Sequence, residues 1–119
     1  MRAAATAAKA MPAGSAEAAA LKKLVKQAGE AAQHLKLLAN EKRLLIVCFL
    51  AARGEMTVGE LVDAVELSQS ALSQHLAKLR ADRLVTFRRT SQTLHYSIAD
   101  KRTLRLLGAL KEIFCGDLK

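Results

Sequence analysis

Residues 68–80, SQSALSQHLAKLR, constrain this chain more than any other stretch. Wound as a helix, they set Leu72, Leu76 and Leu79 at i, i+4 and i+7 along one side and leave Ser70, Ser73, Gln74 and Ala77 on the other. That outer face is short, polar and nearly uncharged. Its hydroxyls and amides can match the donors and acceptors that base edges present in a major groove, and its small residues allow close approach. Lysines in the same places would favour phosphate over sequence. Upstream, residues 57–65 predict a second short helix, and the junction Val65-Glu66-Leu67-Ser68-Gln69 joins the two, with Val65 or Leu67 placed to turn the chain. Two helices so joined form a helix-turn-helix. The plainer reading is a surface helix with a polar outer side, and the flanking sequence decides between them.

Charge favours the first. Nineteen Lys and Arg against eleven Asp and Glu give a formal net charge of +8, which suits a polyanionic partner such as nucleic acid or an anionic membrane. The excess is concentrated next to the reading helix: Lys78, Arg80, Arg83, Arg88, Arg89, Lys101, Arg102 and Arg105 face two acids, Asp82 and Asp100. The chain is 51% hydrophobic but has three Phe, one Tyr and no Trp, so Leu, Val and Ala must fill the core and a mainly helical fold follows. No run approaches the roughly 18 to 20 apolar residues of a membrane span, and a soluble, cytoplasmic protein is expected. Residues 1–15 read as a disordered tail, since Lys9, Pro12 and Gly14 interrupt an alanine run too weakly apolar for a secretory signal; residues 16–119 read as one domain. Two cysteines make no disulfide framework, so both are expected to rest as thiols.

In chain order, residues 16 to about 38 carry Leu21, Leu24, Val25, Ala28, Leu35 and Leu38 at spacings of three and four, a first amphipathic helix. Asn40 can cap a second, running to about Ala52, whose LLIVCFLAA is apolar on nearly all sides and is expected to be buried as a central strut. Thr57-Val58-Gly59-Glu60 matches a capping box and opens the third helix, and Ser68 or Ser70 caps the fourth. Beyond Arg80 the period changes. Residues 84–88 and 94–98 alternate apolar with polar around the turn-prone residues 89–93, which predicts a β-hairpin. A basic hairpin directly after a reading helix is a wing, with Arg88 and Arg89 in reach of phosphate or a minor groove. Asp100 can cap a fifth helix over residues 101 to about 114. On that helix Leu104, Leu107 and Phe114 share one side while Leu106, Leu110 and Ile113 share the adjoining one, so it needs an apolar partner, most simply a second copy of the chain.

The segments LKLLANEKRLLIVCFL, GEMTVGELVDAVELSQSALSQHLAKLRADRLV and RRTSQTLHYSI, together spanning most of residues 35–98, resemble the ArsR family of winged helix-turn-helix repressors. The resemblance implies a mainly α fold with a small β-hairpin wing (α1-α2-α3-α4-β1-β2-α5), a homodimer built from the first and last helices, and release of a two-fold symmetric operator on induction. Many members sense metals through a motif of the form ELCVCEL, which aligns with Glu55-Met56-Thr57-Val58-Gly59-Glu60-Leu61; Thr57 and Gly59 stand where the thiolates would be. No His follows His95, so the other common metal site on the last helix lacks its ligands too, and neither a metal nor a cofactor is expected. Cys48 and Cys115 are instead similar in context and separation to the two thiols of the BigR and SqrR branch. That likeness implies a dithiol switch in which reactive sulfur species link the pair by a disulfide or a short polysulfide chain. A metal-responsive or generally oxidant-responsive repressor is the alternative.

The candidate site residues are therefore Cys48 and Cys115 for redox sensing, Ser70, Ser73, Gln74 and His75 near bases, and Gln69, Lys78, Arg88 and Arg89 near phosphate. Cys48 shares a wheel face with Leu44, Leu45 and Ala51, as a plain core residue would. His75 lies at the edge of the leucine face and can equally pack there. Catalysis is not expected, because none of His34, His75 or His95 lies in a strand-to-helix elbow or beside a Gly-rich anion site.

Overall fold

The structure, a computed structural model, describes residues 15–116; residues 1–14 of the expected tail lie outside the described residues. The chain divides into two compact units, Met1–Lys36 and Leu37–Lys119. The first holds most of helix α1 (Ala16–Leu38), whose start is capped by the Ser15 hydroxyl accepting from the Ala18 amide at 3.0 Å.

The second unit runs α2 (Glu41–Arg53), β1 (Met56–Thr57), α3 (Val58–Val65), α4 (Gln69–Ala81), β2 (Val85–Thr90), β3 (Thr93–Ile98) and α5 (Lys101–Cys115). Each helix starts where a short polar side chain can satisfy a free amide. Asn40 accepts from the Arg43 amide, Ser68 from Ala71, and Asp100 from Arg102. At α3 the capping box forms in full: the Thr57 hydroxyl accepts from the Glu60 amide at 3.2 Å and the Glu60 carboxylate accepts from the Thr57 amide at 2.9 Å. Gly54, at φ 84°, ends α2 with its amide on the Leu50 carbonyl, a backbone angle that side chains disfavour.

The turn between α3 and α4 corrects the sequence reading, because neither Val65 nor Leu67 makes it. Val65 is buried, and Glu66 takes the left-handed conformation (φ 53°, ψ 50°). An exposed side chain can occupy that strained backbone while its apolar neighbours face inward.

The core gathers Ile46, Val47 and Leu50 of α2, Leu61 and Val65 of α3, Leu72, Leu76 and Leu79 of α4, Leu84, Val85 and Tyr96 of the wing and Leu107 of α5. The helix-turn-helix thus packs on α2, as its leucine spacing requires. Yet α2 is not enclosed as its sequence predicts: Leu45 is 36% exposed and Cys48 also faces outward. A unit of this size covers one stripe of a 13-residue helix fully and leaves the rest to other surfaces.

The wing is a three-stranded antiparallel sheet in the order β1-β3-β2. Met56 pairs with Tyr96 and Thr57 with His95, and on the other side of β3 Phe87 pairs with Tyr96. The hairpin loop is shorter than predicted, Ser91 and Gln92, with Ser91 at φ 58°. The two residues of β1 carry no alternation that sequence reading could detect. They nonetheless join the wing directly to the start of α3.

Candidate nucleic-acid interface and thiol cleft

Helix α4 turns Leu72, Leu76 and Leu79 into the core and so places Gln69, Ser70, Ser73, Gln74, Ala77 and Lys78 on open surface. The exposed face is the polar one that the spacing predicts, with Lys78 at its C-terminal end, where a cation also suits the helix dipole. His75 is half buried at the boundary between faces. Desolvation, with the nearby charges of Arg43 and Lys78, holds its imidazole below the ordinary histidine value. That shift favours the neutral imidazole, which can pack against the leucine face.

Side-chain contacts hold the wing against α4 and against the residue before β1. The Arg80 guanidinium lies 4.2 Å from the centre of the Phe87 ring, a cation–π contact, and Phe87 in turn tilts against Tyr96 at 5.4 Å. Arg88 donates to both oxygens of Glu55, the residue preceding β1, and this bidentate pair holds the Glu55 carboxyl below its usual range and Arg88 above its own. His95 Nδ1 stands 4.0 Å from the same carboxylate, and its Nε2 is 2.7 Å from the Thr90 hydroxyl. Both arginines expected at phosphate are exposed on the same strand, and Arg88 is paired with Glu55. Sequence reasoning gave Glu55 no partner, because it lies 33 residues from Arg88.

The two cysteines come together. Cys48 of α2 and Cys115 of α5, both free thiols, line one cleft of about 540 Å³ whose other walls are Leu44, Ala51, Ala52, Leu104, Leu107, Gly108, Leu110, Lys111 and Phe114. Burial among these apolar groups pushes the Cys48 thiol up, and the charge of Cys115 adds to the shift. Cys48 is therefore not the closed-core residue that its wheel position allowed. Thr57, which occupies a thiolate position of the metal-sensing motif, is committed to capping α3, and among the described residues no three His, Cys, Asp or Glu side chains gather as a metal group. No helix among the described residues is long and apolar enough to cross a membrane.

Comparison with known proteins agrees with this fold. The profile of the arsR family of bacterial regulatory proteins matches residues 40–86. The nodulation protein NolR of Rhizobium meliloti is 53% identical over 87 residues, 73% of this chain and 70% of that protein. Among solved structures, reduced HlyU from Vibrio cholerae superposes with a TM-score of 0.73 at 42% identity, over 79% of this chain and 98% of that one. The transcriptional repressor BigR from Xylella fastidiosa superposes with a TM-score of 0.75 at 37% identity, over 79% of this chain and 95% of that one.

Proposed function

The chain belongs to the ArsR family of bacterial regulatory proteins and is a DNA-binding transcriptional regulator rather than an enzyme; we propose that it is a homodimeric, cytoplasmic repressor switched by its two thiols. The observation that carries this reading is the shared cleft: Cys48 and Cys115, 67 positions apart in sequence (115 − 48), line one cavity between α2 and α5. Homodimerisation is supported by Ile113 of α5, which is 72% exposed and lies outside the cleft, and by the apolar stripe of α1.

In the reduced dimer the two α4 helices enter successive major grooves about 34 Å apart. An organic persulfide RSSH then reaches the cleft. The Cys115 thiolate attacks its terminal sulfur, forming a persulfide on Cys115, and RS⁻ leaves and takes up a proton. Cys48 then gives up its proton and attacks the inner sulfur as the thiolate, and the departing HS⁻ takes up that proton as H₂S. Two thiols and RSSH thereby become a disulfide, RSH and H₂S; one further sulfur transferred before closure gives a trisulfide. The bridge draws α5 toward α2 and changes the spacing of the reading helices. A coupling of about 1 to 3 kcal/mol changes affinity roughly 5- to 150-fold, enough to empty an operator.

The deciding experiment measures intact mass and operator affinity at fixed salt, before and after persulfide, with Cys48→Ser and Cys115→Ser alongside. Bridging with weakened binding in the parent and neither in the variants is the expected result. Release that persists in both variants would sink the dithiol mechanism, and release by zinc or peroxide alone would return the metal or general-oxidant reading.

A further inference from the structure

We propose that the cleft between α2 and α5 is also a reversible binding site for a small apolar organic anion, a role separate from thiol chemistry. Its volume of about 540 Å³ falls among those of small-molecule sites, which pair apolar walls with few polar groups. Leu44, Leu104, Leu107, Leu110 and Phe114 supply the walls, and among the lining residues the charge comes from Lys111. That combination suits a ligand with an apolar body and one negative group. A highly charged hydrophilic molecule would lose hydration there without replacement.

Gly108 is the second, independent observation. It lies inside α5, with ordinary helical backbone, and lines the cleft. A Cβ added there would meet nothing within 4 Å, so neither conformation nor packing within the protomer calls for glycine. A glycine in a helix interior is less stable than alanine. What its missing side chain does is keep the cleft wall open. An occupant lodged there shares the cleft with Cys48 and Cys115 and opposes their bridging; this consequence rests on the dithiol reading, whereas binding itself does not.

The test titrates the reduced full-length protein with anilinonaphthalene sulfonate and with its uncharged relative N-phenylnaphthylamine, following fluorescence. Gly108→Leu fills the cleft and should weaken both probes about tenfold or more, while Lys111→Met should weaken the sulfonate and spare the neutral probe. Gly108→Ala, which adds one methyl to a helix it stabilises, should weaken both less, and thermal melts confirm that each variant folds. Saturating sulfonate should slow the bridging of Cys48 and Cys115 by disodium tetrasulfide in the parent and leave Gly108→Leu unprotected. Unchanged probe affinity in folded Gly108→Leu overturns the site, and so does a change in that variant's solution mass, which would put the second copy in the cleft. Indifference of the sulfonate to Lys111→Met overturns its preference for an anion. If the probes behave as expected but tetrasulfide never bridges the thiols, the dithiol reading falls and the site stands.

Discussion

Arg88 grips Glu55 with two hydrogen bonds of 2.7 Å, one from Nε and one from Nη2, and so ties strand β2 to the residue that leads into β1 and α3. A guanidinium spent in this way holds the wing in place. Its neighbour Arg89 is exposed and uncommitted to that pair. Arg89→Ala should therefore weaken binding to every duplex and reduce the slope of log affinity against log salt by about one, the release of a single phosphate contact. Arg88→Ala should lower affinity with a smaller change in slope. Equal slope changes in salt titrations of the two variants would place both arginines on phosphate.

Gln74 stands in the middle of the exposed face of α4, between Ser73 and Ala77. Its amide can both donate to and accept from one base. Gln74→Ala should cost about 1 to 3 kcal/mol at the preferred operator and much less at a random duplex, narrowing the ratio between them. Competition binding against scrambled sequence reads that ratio directly. A parallel loss on both would assign Gln74 to the backbone.

His75 gives a pH dependence whose sign follows from its surroundings. Its folded pKa lies below the ordinary value, mainly through desolvation and then through Arg43 and Lys78, so the unfolded chain binds the proton more readily. The stability it contributes is complete above about pH 6.5, the unfolded value, and is lost as pH falls toward the folded one. His75→Gln should flatten that part of a melting-temperature profile taken between pH 5 and 8. If the profile is unchanged, the acid sensitivity resides elsewhere.

Thr57 provides a stability test. Its hydroxyl accepts from the Glu60 amide and its own amide donates to the Glu60 carboxylate. Thr57→Ala should cost about 1 kcal/mol of folding free energy in urea titration, the usual loss of a helix cap. Thr57→Ser should recover most of it. The box also holds the Glu60 carboxyl below its ordinary range, first through the Thr57 amide, so the cap weakens in acid as that group protonates.

Local chemistry written in consecutive residues was legible without the fold. The spacing of Leu72, Leu76 and Leu79, the caps at Asn40, Thr57, Ser68 and Asp100 and the change to alternation after Arg80 each depend on neighbours within a turn or a strand, so reading them needs no distant partner. They determined the order of helices and hairpin and the polar face of α4. The turn between α3 and α4 was less legible, because a left-handed Glu66 depends on which neighbours the core claims, and its composition gives no sign of this.

Relations across the chain were decided by tertiary structure. The pairing of Arg88 with Glu55, the addition of a two-residue strand to the wing, and the opening of α2 at Leu45 and Cys48 all depend on which distant segments arrive beside them. So does the cleft that joins Cys48, Gly108, Lys111 and Cys115. Sequence alone determined that this chain makes a winged helix-turn-helix, because hydrophobic period and capping act within a few residues. Tertiary structure decided which arginine is paired with a distant carboxylate and which surfaces remain open, because charge pairing and burial are set by approach in space.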